Sequence, residues 1–312
     1  MKNTTIRNAA LTILATGFIL GSAVSASAAA ILWLDAGSIT GVGEGGTVDT
    51  WADSSTNGND ALRTNGSPTY HSTAGPNGQS VVRFDDNTHG THDEFQVAHN
   101  AGLSLTNYTI FVVGLQTGTD WDTLLVKGGL PTSTAWNYLI AANGPSVYQA
   151  GANAQGKTPN GNADSVSNAG IGGSFGIIGH RADLTIAHLG VVTDTIGNFL
   201  NGNDVFKGGS SFGDPATDFT NTEPLFIGGG GSPIPVEGGA PFTGDLAEIA
   251  ILPFTASDQQ ILDVSAYLGD KYGIAVAGGG NAANGLALIV PEPSGVALLV
   301  IGLVPLVARR RR

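Results

Sequence analysis

Seven asparagines, Asn57, Asn65, Asn77, Asn143, Asn160, Asn201 and Asn284, are each followed directly by glycine. Asn-Gly is the strongest short hairpin signal, because both residues tolerate the positive φ that a tight two-residue turn demands. A chain interrupted this often must be built from short elements, and its 47 glycines in 312 residues, about double ordinary usage, point the same way. The segments between turns are apolar and rich in β-branched and aromatic residues: Ile31–Asp35, Val81–Asp85, Tyr108–Leu115, Leu124–Lys127, Tyr138–Ala141, Phe175–Ile178, His188–Val192, Leu225–Ile227 and Phe242–Ile251. Tyr108–Leu115 is apolar on both faces and belongs at the centre of a sheet. Asn198–Val205 reads as a hairpin around Asn201-Gly202. Strand follows strand with no long helix between, which predicts an all-β sandwich. Roughly 260 residues between the two chain ends suffice for a single domain of this kind.

One helix is expected, near the end of the body. Ser257 and Gln260 have the spacing of a capping box, Ile261, Leu262, Val264, Ala266 and Leu268 supply apolar positions, and Gly273 can stop the helix. Residues 275–290, with Gly278–Gly280 and Asn281–Gly285, read as a flexible linker.

Four groups of residues carry a resemblance. The opening Leu32-Trp33-Leu34-Asp35-Ala36, then Trp51-Ala52-Asp53-Ser54, then Asn57-Gly58-Asn59-Asp60-Ala61, and the closing Lys271-Tyr272-Gly273-Ile274 are together similar to bacterial laminin-G-like, concanavalin A-like domains. The resemblance implies a jelly-roll sandwich over residues 30–274, closed by the C-terminal helix, and a role in binding glycan or another extracellular polymer. Trp33 and Trp51 are expected in the core, since large aromatics in strands are mostly buried.

The ends read as export signals. Lys2 and Arg7 precede the apolar run Ala9–Val24, and Ala26-Ser27-Ala28 offers the small-residue cleavage region of a secretory signal peptide, residues 1–28. An uncleaved membrane anchor is the alternative. At the other end, Pro291-Glu292-Pro293-Ser294 precedes the uncharged run Gly295–Ala308 and the basic cluster Arg309, Arg310, Arg311 and Arg312. The prolines break any regular element, and the arginines would stay on the cytoplasmic side. Fourteen residues reach roughly 21 Å as a helix, short of the roughly 30 Å hydrocarbon core, so a permanent tail anchor is the weaker reading. Residues 291–312 closely resemble the PEP-CTERM sorting signal of Gram-negative bacteria. That resemblance implies export by the general secretion machinery and transient insertion in the inner membrane. Cleavage near the box by an exosortase would follow, with delivery to the cell surface, outer envelope or extracellular matrix.

The chemistry that remains is narrow. The chain has no cysteine, which removes disulfides and thiolate metal sites. Between residues 30 and 290, four Lys and three Arg face nineteen Asp and five Glu, a net charge of −17 that makes nucleic acid an unsuitable partner. Gly151–Thr158 fits the P-loop pattern, yet Pro159-Asn160-Gly161 cannot start the helix a phosphate cradle needs. Gly172–Gly176 and Gly209–Gly213 match the nucleophile-elbow pattern without the strand-to-helix context it requires. Glucanases of concanavalin-like fold place carboxylates at alternate positions of one strand, and the nearest candidate, Glu248-Ile249-Ala250-Ile251-Leu252, has only the first. No catalytic residue is therefore assigned. His89, His92 and His99 have no metal-site spacing on a helix face. Calcium is the cofactor that the acidic pairs Asp85-Asp86, Asp120 with Asp122, and Asp214 with Asp218 could take, though no set of ligands can be named. The expectation is a non-catalytic, exported polymer-binding protein. The alternatives are a purely structural biofilm or envelope component, and a concanavalin-like glycoside hydrolase.

Overall fold

The computed structural model describes residues 29–85, 91–118, 121–128, 136–143, 147–153, 165–167, 170–183, 196–209, 222–229 and 240–290. Both export segments, with Ala26, Ala28, Pro291–Ser294 and Arg309–Arg312, lie outside them, as does the expected strand His188–Val192. Among the described residues, no helix is long and apolar enough to cross a membrane.

The strands in chain order are β1 Leu32–Asp35, β2 Thr50–Trp51, β3 Ala61–Asn65, β4 Thr69–His71, β5 Val81–Phe84, β6 Glu94–Val97, β7 Asn107–Gln116, β8 Trp121–Gly128 and β9 Trp136–Asn143. They continue as β10 Val147–Asn153, β11 Ser165–Ser167, β12 Gly176–Asp183, β13 Ile196–Leu200, β14 Asn203–Asp204, β15 Phe206–Gly209, β16 Leu225–Ile227, β17 Ala240–Pro241 and β18 Gly244–Leu252. Two α-helices follow, α1 Asp258–Tyr272 and α2 Ala282–Ile289. One sheet runs β14-β13-β12-β7-β18-β5-β4, with β1 also paired to β18. The other runs β15-β11-β10-β9-β8-β16-β6-β3-β2, with β17 beside β8. Among the described residues this is a β-sandwich with two α-helices.

The alternation along β7 and β18 explains how the layers stack. Tyr108, Ile110 and Val112 of β7, with Leu246, Ile249 and Ile251 of β18, face the second sheet and join Trp51, Phe84, Phe95, Tyr138 and Leu225 in the main core. Phe111 and Val113, with Ala250 and Leu252, face the other way and pack under Ile261, Val264, Leu268 and Tyr272 of α1. A strand with a period of two and apolar residues on both faces therefore sits in the middle of three layers. Trp51 is buried, as expected, whereas Trp33 is only partly so.

Helix α1 begins as its sequence indicates: Ser257 Oγ accepts from the Gln260 N–H and the Gln260 side chain accepts from the Ser257 N–H. It ends at Gly273, in the left-handed region at φ 64°. The Asn201-Gly202 turn also forms, with φ of 51° and 77° joining β13 to β14.

Residues 275–290 differ from the flexible linker read in the sequence. Asn281 caps α2 by accepting from the N–H groups of Ala283 and Asn284, and Ile289 is fully buried beside α1. Asn284-Gly285, read as a turn signal, lies inside this helix, where a Cβ on Gly285 would stand 2.1 Å from the Asp263 carbonyl oxygen. Glycine is there for close helix approach, not for a turn.

Candidate functional site

The residues of the N-terminal and C-terminal signatures meet in space. On β1, Trp33 and Asp35 point away from the main core towards α1, and β18 places Glu248 directly opposite Asp35 in the register. Two carboxylates opposed across a strand pair repel. Lys271, from the last turn of α1, sits between them, its Nζ 2.6 Å from both Asp35 Oδ2 and Glu248 Oε2. Trp33 Nε1–H donates to Glu248 Oε1 at 2.8 Å, and the Tyr272 hydroxyl donates to Glu248 Oε2 at 2.9 Å. Burial pushes the Glu248 carboxyl up, with the Lys271 charge opposing it. Burial would lower Lys271, but the charges of Glu248 and Asp35 outweigh this and hold its ammonium above its usual value.

The next signature extends this network without opening it. Asp53 accepts from the N–H groups of Trp33, Ser55 and Asn59, while Asn57 and Asn59 donate to the carbonyls of Ala30 and Ile31. These side chains tie the first strand to the loop that follows β2. Glu248, only 1% exposed, is fully occupied by protein partners, so the strand that comes nearest to a glucanase pattern carries a structural carboxylate. Gly172–Gly176 runs into β12, a strand, and Gly151–Asn153 is part of β10; neither supplies a turn into a helix.

A second polar cluster lies on the opposite sheet, around β3 and β6, where Leu62 and Thr64 are exposed and Gln96 is half-buried. The helices cover the outer face of the β7–β18 sheet; among the described residues none covers the outer face of the β8–β6 sheet. On β6, Phe95 and Val97 enter the core, so Glu94 and Gln96 take the opposite face. Thr64 Oγ1 and Gln96 Nε2 donate to Glu94 Oε1 at 2.9 and 3.0 Å, and His92 Nε2 lies 3.3 Å from Glu94 Oε2. Burial alone would raise the Glu94 carboxyl; the hydrogen bonds from His92, Gln96 and Thr64 bring it below its ordinary value. Beside this polar strip Leu62, 52% exposed, is paired in register with Gln96. Val126, Leu139, Ala141 and Phe226 form a small buried apolar cluster on neighbouring strands of the same sheet. Glu94 and that cluster are both buried, so what this part of the sheet offers to solvent is the Thr64 hydroxyl and the Gln96 amide beside exposed Leu62, polar groups with one apolar side chain.

Sequence reasoning treated His92 only as a metal candidate and passed over Glu94 and Gln96. The period-two spacing of His92, Glu94 and Gln96 was the available clue, since such residues share one face of a strand. Among the described residues there is no cluster of three or more His, Cys, Asp or Glu able to hold a metal. His92 pairs with Glu94, His99 lies 3.3 Å from Lys127 Nζ, and Asp122 accepts from Gln116. His89, Asp86, Asp120, Asp214 and Asp218 lie outside the described residues.

No family model matches the chain, and no curated protein matches it. Among solved structures, it is similar to the binding domain of botulinum neurotoxin DC in complex with rat synaptotagmin II. That likeness has a TM-score of 0.51 at 9% identity, over 78% of this chain and 52% of that one. The same toxin domain in complex with SialylT gives a TM-score of 0.50 at 9% identity, with the same coverage. The Ruminococcus gnavus IT-sialidase CBM40 bound to α2,3-sialyllactose has a TM-score of 0.39 at 15% identity, over 52% of this chain and 83% of that one. At these identities the toxin-domain likeness speaks to fold alone, the two-sheet sandwich.

Proposed function

We propose that this is an exported, non-catalytic jelly-roll protein of the laminin-G-like kind that binds an extracellular polysaccharide through the β3–β6 part of the sheet that the helices leave uncovered. The observation that carries the reading is the asymmetry of the sandwich: one outer face is sealed by helices, and the other presents exposed Thr64 and Leu62 with half-buried Gln96; buried Glu94 orients the Thr64 and Gln96 side chains by accepting from both. Sugars offer hydroxyls to groups of this type and an apolar ring face to a side chain such as Leu62. One solved toxin domain with a sandwich of this kind is in complex with SialylT, which fits a glycan role by analogy of fold.

Export and processing complete the proposal. The secretory signal ends at Ala28, and the Pro291-Glu292-Pro293 box follows directly on the last described residue, Val290. An exosortase cutting near the box would release a compact body from its membrane segment to the cell surface or matrix. The −17 charge of the body keeps it soluble there.

Two measurements test this. Mass spectrometry of the mature protein should find an N-terminus at Ala29 and loss of the chain beyond the box; a body recovered with both ends intact would overturn the export reading. A glycan array, run with and without calcium, should retain the body and lose it on Gln96→Ala with Leu62→Ser. Retention that survives both substitutions would move the site elsewhere, and no retention on any polysaccharide would favour the purely structural alternative.

A further inference from the structure

The two ends of the folded body leave it at one point. Ala30, two residues past the signal cleavage region, is fully buried, and its N–H donates to the carbonyl of Ile289 at 3.3 Å. Ile289 is the last residue of α2 and is buried in the same apolar cluster. On the N-terminal side, four residues separate Ala29 from the apolar run that ends at Val24; on the C-terminal side, four residues separate Val290 from the run that begins at Gly295. Four residues span at most about 14 Å even when fully extended. The interfacial layer of one leaflet is itself about 5–7 Å thick. If either apolar run is inserted, this corner of the body is held against the lipid surface.

The surface at that corner suits such a position. Helix α2 buries Gly285 and Ile289 against α1 and turns Ala283, Leu286 and Ala287 outward, Leu286 being 39% exposed. No residue from Gly273 to Val290 is charged, in a body that otherwise carries a large negative excess. An acidic body is repelled by anionic lipid headgroups, and this uncharged segment adds nothing to that repulsion. Asp263, beneath α2, is turned inward to Asn281 and Gln259.

We propose that the outward face of α2, Ala283, Leu286 and Ala287, is a membrane-resting surface that lies in the lipid headgroup layer while the C-terminal segment is inserted, and so fixes the orientation in which the Pro291-Glu292-Pro293 box is presented for processing. The proposal rests on the export reading and adds to it the surface, its partner and the stage at which it acts. Eight residues give a small apolar area, so the contact is reversible and is lost when the tail is cut.

The chain has no cysteine, so a single introduced thiol can be labelled uniquely. Full-length chain carrying Leu286→Cys, Leu62→Cys or Leu299→Cys is labelled with a polarity-sensitive dye. Each is reconstituted, without exosortase, into vesicles of phosphatidylethanolamine and phosphatidylglycerol containing headgroup or acyl-chain spin labels. The expected result is deep quenching at 299, headgroup-level quenching with a blue shift at 286, and neither at 62. Position 286 as unquenched as position 62, with 299 still deep, would overturn the membrane surface and leave export standing. A blue shift at 286 without quenching by lipid labels would show a protein partner, a second copy included, and would also overturn it. An unquenched 299 would overturn both readings. Leu62 and Leu286 are exposed, so these changes leave the packed body intact, and matching thermal melts verify this.

Discussion

Removing the charge of Lys271 is the most direct test of how the two ends of the sandwich are joined. Lys271→Met keeps the stem of the side chain but leaves Asp35 and Glu248 opposed across β1 and β18 with no cation between them. Taking one partner from a buried ion pair costs about 3–5 kcal/mol, because the remaining charge is left unpaired. In a domain of this size each kcal/mol lowers the midpoint by about 2–4 °C, so a fall of roughly 6–20 °C is expected. The pH dependence identifies the cause. Burial already holds the Glu248 carboxyl above its ordinary 4.5, and loss of Lys271 removes the charge that opposed this. A carboxyl raised in the folded state contributes stability that is fully present below its unfolded value and is lost as pH rises through its folded value. The deficit of Lys271→Met relative to the unsubstituted protein should therefore be smallest near pH 4.5 and grow towards neutrality. Adding Glu248→Gln should recover much of it at pH 7. Urea unfolding at a series of pH values measures both effects. A deficit that is independent of pH, or unchanged in the double variant, would refute the claim that the lysine acts by separating two carboxylates.

Smaller perturbations address single contacts. Trp33→Phe removes the indole donor to Glu248 and should cost about 1.5–3 kcal/mol, the range for a hydrogen bond to a charged group, as read by denaturant unfolding. Ser257→Ala breaks the capping box of α1 and should cost about 1 kcal/mol; Ser257→Asp, another good N-cap residue, should restore most of it. Gly285→Leu forces a side chain into the space occupied by the Asp263 carbonyl. It should speed amide exchange across residues 282–289 while the strand amides of β7 and β18 stay protected. Exchange that rises equally throughout the sandwich would mean that α2 is integral to the core and not a docked segment.

What the sequence conveyed, and what it withheld, follows from the range of the forces involved. The hairpin at Asn201-Gly202 and the ends of α1 are local events, decided by a residue that accepts positive φ or by a side chain reaching three residues along the chain, and they were readable as such. Helix α2 was not. Its segment, rich in glycine and alanine, has few large side chains to show a helical period, and the reason for its glycines lies on another element: Gly280 and Gly285 would each place a Cβ about 2.1 Å from a carbonyl oxygen of α1. Glycine between strands and glycine between helices look identical until the partner backbone is known. The uncovered sheet face was hidden for a related reason. His92, just before β6, and Glu94 and Gln96 on it alternate visibly, but alternation says only that they share a side, and which side the helices leave uncovered depends on where α1 and α2 come to rest. The same helices that closed one face thereby defined the other. Trp33, Asp35, Asp53, Glu248 and Lys271 belong to that closure, so the motif residues from the two ends of the chain and the lone strand carboxylate fasten the sandwich, and the proposed ligand face lies on the other sheet.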